Sequence, residues 1–499
     1  MYDVVTDRFS NGDSGNNGAY GRGLDGTGTP YAVDSTGHFL GGDWNGLEGW
    51  LQDGYFDALG VDVLVMSSPF EQVHGWVPGN DPSVQRYAFD GRWTADYTEH
   101  DEAFGSLADF ASLVDAAHAK GIRIILDVAL TSPGPVTLHD MVEFGYGASM
   151  WDTWRTWRPT ADSWSGAMDA LVLSEDSLDA WARWWGPDWI RANLPGYDAC
   201  SRTCDAYVPE FRHDGSTISG LPAFLALKWG NEKTARQDAW LKSYLSARSL
   251  TPTVASIQVA WLTEWVRAYG IDGIRIADFH DVSDDTRSLL ARELSSALSA
   301  WRIANPAKAL DTAPFQLLAP VDPFESLHTA SLDSLYAGMV GSVGITAISS
   351  LDTGLSDRAH VQEAGTRLLL TPGPVLLVYG DESGRTGDSR SFMNWGTSDE
   401  DNLARWRQLG SFRKAHPAIA GGEHIALSDA PYAFARVAAD DQVVVAFAAE
   451  GRVRLNVSRV WPDDTAVRDV MSGRIGIVSF GQVTFQAHES GMILLEEVR

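Results

Sequence analysis

Three short apolar runs end on, or beside, side chains that can carry charge or move protons. Ile122 to Val128 contains Asp127, Gly273 to Ala277 contains Arg275 and runs into Asp278, and Gly344 to Ser350 leads into Leu351-Asp352. Carboxylates gathered with a guanidinium at strand ends can do acid–base or nucleophilic work, or can pair and hold a structure together. Which of these applies depends on the face each side chain takes. Side chains alternate across a strand, so Arg275 and Ala277 share one face and Asp278 takes the other unless a bulge intervenes. The face that carries Arg275 therefore ends on a methyl group, which can neither attack nor transfer a proton.

The elements that must position these residues alternate in type. Val61 to Met66 reads as a buried strand, Leu107 to Lys120 as a helix stopped by Gly121, and Ile122 to Val128 as a strand. A long segment rich in turn residues follows, from about Pro133 to Asn231. The alternation then resumes: a helix over Val254 to Tyr269, a strand over Gly273 to Ala277, a helix over Asp284 to Ala304 and a strand over Phe315 to Ala319. Gly344 to Ser350 reads as a strand, Arg358 to Leu370 as a helix and Pro374 to Tyr379 as a strand. This many strand–helix units predict a closed parallel (β/α)8 barrel of the α/β class. After a helix near Asn402 to Lys414 and the junction His416-Pro417, short strands such as Tyr432 to Val437 and Val443 to Phe447 alternate with turns alone, which predicts an antiparallel β-sandwich. The expected division is a barrel over 1–132 and 232–417, an insert over 133–231 and a sandwich over 418–499.

The bulk properties exclude some classes. The 499 residues carry a net charge of −28, which argues against nucleic acid and anionic membranes as partners and fits a neutral ligand or a protein. No apolar run is long enough to span a membrane, so no membrane insertion is expected. Met1 to Val5 lacks a basic region followed by an apolar stretch, so no leader peptide is expected within the chain. The two cysteines, Cys200 and Cys204, have no second ligand pair for zinc; a local disulfide is expected ahead of two free thiols. Phosphate-loop, dinucleotide and Ser/His/Asp hydrolase signatures are missing. Trp151, Trp154, Trp157 and Trp164, then Trp181, Trp184, Trp185 and Trp189, fall partly at helical spacing, which favours core packing over a sugar platform. His74 and Trp76 follow the second strand and are candidate ligand-binding residues at the barrel mouth.

Several stretches resemble the α-amylase family of retaining glycoside hydrolases, and its bacterial periplasmic branch in particular. They are Tyr2 to Asp13, Gly41-Gly42-Asp43, Ser68 to Val77, Gly121 to Val128, Tyr379 to Ser383, Met393-Asn394-Trp395 and Phe412 to Pro417. The resemblance runs through nearly the whole chain. It implies a barrel with an insert after the third strand and a C-terminal sandwich, an α-glucan substrate class, and a periplasmic or secreted location.

The same resemblance exposes what has changed. Retaining glycosidases need two carboxyl groups about 5–5.5 Å apart, one attacking and one protonating the leaving oxygen. By the family pattern the nucleophile position is Ala277 and the acid position is Pro320. The residue that stacks on the sugar is replaced by Arg92, a sugar-gripping His by Leu351, and an Asn-His pair by Thr131 and Ser132. Of the family positions, Asp127, Arg275 and Asp352 are retained. Because Thr131 stands where the family has an Asn calcium ligand, the usual calcium site is not expected, nor any other metal or cofactor. An Asp→Ala trap explains Ala277 alone; it does not explain Pro320, Leu351, Ser132 and Arg92 beside it.

These replacements imply a catalytically dead member: a binding or scaffolding protein of an α-glucan system whose remodelled barrel mouth takes a protein partner. Two alternatives remain. One is a protein that binds malto-oligosaccharide without hydrolysing it. The other is an active hydrolase or transferase with relocated carboxylates, Asp278 or Asp322 working with Asp352.

Overall fold

The computed structural model describes residues 1–22, 37–78, 85–135, 137–144, 184–186, 188–191, 210–324, 344–358 and 360–498. Seven parallel strands form one curled sheet. In spatial order they are Gln316–Leu318, Gly273–Ile276, Arg123–Val128, Val63–Ser67, Tyr2–Val4, Val375–Val378 and Thr346–Ala347. Helices Trp44–Gln52, Leu107–Ala119, Val254–Tyr269, Asp284–Ala304, Val361–Leu369 and Glu400–Ala415 come between or after the strands in the chain. This is the strand order of a (β/α)8 barrel; its two outer strands flank residues 325–343 in the chain, and Phe324 N bonds to Ala347 O at 2.8 Å from one toward the other.

Two layers of packing follow from the strand alternation. On the inner face Val65, Ile125, Ala347 and Leu376 make a small buried cluster. The outer face meets the helices in one large core that includes Leu64, Met66, Ile124, Leu126, Ile274 and Ile276. Residues two further along on the inner face, Ser67 and Asp127, therefore lie above the apolar plug at the strands' C-terminal ends. Register places Ser67 beside Asp127, Asp127 beside Arg275 and Arg275 beside Leu318.

Helix ends are set by local chemistry. Ser106 and Asp109 form a reciprocal capping box, and Thr253 and Ser256 form another. Gly270 ends the second of these helices at φ 76°, and a Cβ there would sit 2.4 Å from the Trp301 ring, so the turn needs both the left-handed backbone and the missing side chain. The strand expected over Gly344 to Ser350 shortens to Thr346–Ala347: Ser349 Oγ turns to Asp381 (2.8 Å), and Ser350 pairs with Gly354 in a turn. Likewise the strand expected to reach Ala319 stops at Leu318, two residues before Pro320.

The C-terminal part is antiparallel throughout. A six-stranded sheet runs Glu423–Asp429, Tyr432–Val437, Gln442–Phe447, Ile493–Glu497, Ala466–Asp469 and Ile475–Ile477; Arg452–Asn456 pairs with Gln482–Gln486 in a second sheet. Their inner faces share a core of Val444, Leu455, Trp461, Val467, Phe485 and Leu495. His416 ties this part to the last barrel helix, its ring bonded to Asp441 and Glu496 at 2.7 Å each. Most of the expected insert, including Trp151, Trp154, Trp157, Trp164, Trp181, Cys200 and Cys204, lies outside the described residues. Trp184, Trp185 and Trp189 are described and buried among Phe211, Phe224 and Trp261, as core packing predicts. Among the described residues no helix is long and apolar enough to cross a membrane.

Candidate functional site

At the C-terminal ends of the strands, arginines and aspartates alternate in one connected lattice. Arg275 donates through Nη1 and Nη2 to the Asp3 carboxylate (2.5 and 3.0 Å) and through Nε to Asp127 Oδ1 (2.8 Å). The other oxygen of Asp127 accepts Arg92 Nε at 3.0 Å and Nη2 at 2.8 Å. Arg92 continues to Asp352, through Nη1 to Oδ1 and through Nη2 to Oδ2 at 3.3 Å. Arg390 then donates to Asp352 Oδ1 at 2.8 Å and lies 3.5 Å from Asp90. Four carboxylates and three guanidiniums thus span from the first strand to the loop after the last.

Each member is placed by its own segment. Asp3, Asp127 and Arg275 are inner-face residues of strands and are buried. Arg92 sits on a tight turn after the second strand, where Gly91 adopts φ 80° and packs on Ser68, and Ser68 Oγ donates to Gly91 O at 2.6 Å. Asp352 lies in the turn whose backbone N–H reaches Ser350 Oγ at 3.1 Å. Its side chain is 41% exposed, which makes it the most open carboxylate of the lattice.

The electrostatics follow from this pairing. Burial alone would raise the Asp127 carboxyl, but Arg275 and Arg92 together hold it far below the usual carboxylate range. Asp352 is likewise pushed up by burial and pulled below its ordinary value by Arg92 and Arg390. Asp3 is raised, because full burial outweighs its one shared guanidinium, Arg275. A catalytic acid needs a carboxyl that keeps its proton near neutral pH, next to the bond it protonates. Among the described residues the raised carboxyls are Asp3, Asp7, Asp381 and Glu382, all buried and all already bonded within the protein. Glu382, for example, accepts both Tyr2 and Tyr55 hydroxyls at 2.6 Å on one oxygen.

Space is equally restricted. The crevice bounded by Val4, Val5, Ser67, Asp90, Leu351 and the lattice has no room for even a water-sized molecule. Typical small-molecule sites hold roughly 300–1,000 Å³. Arg92 and Leu351 line this crevice together with Asp127 and Arg275.

The positions singled out in the sequence fall as follows. Ala277 N–H bonds to Val128 O at 2.9 Å, which carries the ladder one residue past the strand and keeps Ala277 on the face of Arg275. Asp278 points to the other face and is saturated there: it accepts the Leu130 N–H (3.0 Å), the Ser132 N–H (3.1 Å), and both the N–H and the hydroxyl of Thr131. Thr131 is therefore a donor to a carboxylate. Pro320 is half-buried just beyond the Gln316–Leu318 strand, and Asp322 is exposed. Leu351 is buried in the crevice wall. His74 and Trp76, expected at the mouth, are instead interior. Both are at most 3% exposed, and neither lines the crevice. The reason is ionic for His74, whose two ring nitrogens meet Glu143 (2.6 Å) and Glu71 (3.0 Å) while its face stacks on Tyr20. Among the described residues no three His, Cys, Asp or Glu side chains are grouped to hold a metal.

Sequence reasoning missed the lattice as a lattice. Arg92 was legible only as a lost aromatic, and Asp3 and Arg390 were not singled out. One signal existed: Asp3 stands between Tyr2 and Val4, so its alternation puts a lone carboxylate on an inner strand face that needs a cation. For Arg390, in an irregular loop, the sequence carries no such signal.

A parallel sheet in barrel order with a carboxylate–guanidinium cluster at its strand ends defines an α/β-barrel protein. The catalytic-domain model of alpha amylase matches residues 3–134. The periplasmic alpha-amylase of Escherichia coli (strain K12) is 34% identical over 510 aligned residues, covering 90% of this chain and 72% of the relative. A cyclomaltodextrin glucanotransferase of Bacillus sp. (strain 17-1) is 34% identical over a shorter stretch, 31% of this chain and 20% of that enzyme. In fold, the alpha-amylase from Geobacillus thermoleovorans complexed with acarbose superposes with a TM-score of 0.63 at 16% identity, covering 100% of this chain and 98% of that one. The chain belongs to the α-amylase family.

Proposed function

We propose that this chain is a non-catalytic member of its family, a binding or scaffolding protein of an α-glucan system whose barrel mouth takes a protein partner. The observation that carries the reading is the Arg92 bridge from Asp127 to Asp352, at a mouth where Ala277 and Pro320 supply no carboxyl. Both retained carboxylates are neutralised, and Arg92 stands between them. Losing nucleophile and acid together costs on the order of 10⁴–10⁶ in rate in enzymes where such groups act as a unit. Asp278 does not replace them, since its donors come from the Leu130–Ser132 loop. In this reading the barrel spans 1–132 and 232–417, the insert 133–231 and the sandwich 418–499, no calcium is bound at Thr131, and the protein works in the periplasm or outside the cell, as the relative named periplasmic does.

The test is a hydrolysis assay on maltoheptaose at high protein concentration, joined to titration calorimetry with the same sugar. No turnover and no heat at millimolar sugar is the expected result. Heat without turnover would move the reading to a glucan-binding protein, and turnover abolished by Asp278→Asn or Asp322→Asn would overturn it.

A further inference from the structure

The chain contains three Asn-Gly pairs: Asn11-Gly12, Asn17-Gly18 and Asn45-Gly46. In such a pair the glycine's backbone nitrogen can attack the side-chain carbonyl carbon of the asparagine, because no Cβ on the second residue stands in the way. The fold decides which pair reacts. The nitrogen must be unengaged, and the ring that forms must have room.

Two of the pairs are locked, and by the same carboxylate. Gly12 N–H donates to Asp43 Oδ1 at 3.0 Å, and Gly46 N–H to the same oxygen at 2.7 Å. Neither glycine has room around it. A Cβ on Gly12 would lie 2.3 Å from Gly46 N, and one on Gly46 would lie 2.0 Å from Ser10 O. Asn45 and Gly46 are also held in the first turn of the helix Trp44–Gln52. Each pair must break a bond to a charged acceptor before its nitrogen is free, which slows attack roughly tenfold or more.

Asn17-Gly18 is built differently. The pair is the centre of a turn closed by Ala19 N–H on Asn16 O at 3.0 Å. Gly18, at φ −99° and ψ 15°, has the third-position geometry of a type I turn. The turn itself does not use the N–H of that position, and among the described residues no acceptor takes it. Both residues are exposed, and nothing lies within 4 Å of the place a Gly18 Cβ would occupy. The side chain of Asn17 is engaged at its oxygen, where Asn11 Nδ2 donates to Oδ1 at 3.0 Å. A donor on that oxygen draws electron density from the carbon under attack and stabilises the negative oxygen formed as the nitrogen adds.

We propose that Asn17 is a site of spontaneous covalent modification, converted to aspartate and isoaspartate through the Gly18 nitrogen with Asn11 as the promoting donor. The Gly18 nitrogen gives its proton to solvent base and bonds to Asn17 Cγ. The bond from Cγ to the side-chain nitrogen then breaks, and ammonia leaves with a proton taken from water. Water opens the resulting succinimide at either carbonyl. One opening leaves an aspartate at position 17. The other routes the main chain through the former side chain, lengthening it by a methylene and freeing a carboxylate. Either product adds a negative charge to the loop that wraps Asp43, whose carboxylate takes Gly12 and Asp13 N–H and Asn16 Nδ2.

Peptide mapping by mass spectrometry tests this on the full chain, aged folded at neutral and at mildly alkaline pH and, in parallel, unfolded in urea. In the folded chain, conversion at Asn17 is expected to rise with pH and to run roughly tenfold or more ahead of Asn11 and Asn45. In urea, where Asp43 releases its donors, the three pairs are expected to converge. Asn11→Ala is expected to slow conversion at Asn17 severalfold, and Gly18→Ala to slow it further by crowding the attacking nitrogen. A folded chain that keeps Asn17 intact while the unfolded chain converts overturns the proposal. So does conversion at Asn11 or Asn45 as fast as at Asn17, or a Gly18→Ala chain that converts at the native rate. A native rate in Asn11→Ala overturns the part given to Asn11. Both substituted residues are exposed, and thermal unfolding of each variant checks that the fold is intact.

Discussion

Arg92 reaches Asp127 with two nitrogens on a single carboxylate oxygen, Nε at 3.0 Å and Nη2 at 2.8 Å. Asp127 already holds Arg275 on its other oxygen, so one carboxylate joins a strand residue to a loop residue. The loop that carries Arg92 is thereby fastened down over the strand ends.

Arg92→Ala removes that fastening. Breaking a buried ion pair by deleting one partner costs about 3–5 kcal/mol, because the remaining charge is left desolvated. Here Asp127 keeps Arg275 and the part-exposed Asp352 keeps Arg390, so the expected loss is about 2–3 kcal/mol. Arg92→Lys keeps the charge and loses the fork, and falls between. Denaturant unfolding measures both; an Arg92→Ala chain as stable as the native one would show that the lattice contributes nothing.

Asp278 has a different signature. Asp278→Ala leaves the N–H groups of Leu130, Thr131 and Ser132 without their acceptor, which costs on the order of 2–4 kcal/mol. Asp278→Asn keeps one acceptor oxygen and costs less. The effect is on unfolding, with no change in how the chain responds to maltoheptaose. A sugar-dependent effect without a stability loss would give Asp278 a role in ligand chemistry instead.

The parts of this molecule that were legible in the sequence are those fixed by periodicity. Helices Val254–Tyr269 and Asp284–Ala304 have caps and apolar stripes that state their limits, and both are found at the residues expected. Asp278 was also readable, because alternation alone sends it away from Arg275. What was not readable depends on partners far away in the chain. Arg92 meets Asp352 across 260 positions, and no local pattern encodes such a pair. His74 failed for a related reason: a histidine in a loop looks available until Glu71 and Glu143 close on it.

His74 also makes stability depend on pH. Burial disfavours its charge, but hydrogen bonds to Glu143 and Glu71 outweigh this and push its pKa up to about 9. The folded value lies above the unfolded one, so the charged ring stabilises the fold fully below pH 6.5 and this contribution is lost as pH rises through about 9. The size is about 3 kcal/mol as an order of magnitude. Unfolding free energies at pH 6 and pH 9.5 should therefore differ more for the native chain than for His74→Gln, which has no charge to lose. Equal pH dependence in the two would remove His74 as the cause.

Rebuilding the lost site tests whether the mouth gave up one group or its whole chemistry. Ala277→Asp adds a carboxylate on the face of Arg275, into a lattice that already has one more carboxylate than guanidinium. The expected result is lower stability and no turnover of maltoheptaose, since no acid is restored. Ala277→Asp/Pro320→Glu supplies both carboxyls, but Arg92 still bridges Asp127 and Asp352 across the crevice, so this double variant also stays inactive. Only Ala277→Asp/Pro320→Glu/Arg92→Tyr also removes the Arg92 bridge between Asp127 and Asp352, and it is the first form expected to show measurable hydrolysis. Turnover in Ala277→Asp alone would mean that a working acid persists near the strand ends, and that a single replacement separates this chain from an enzyme.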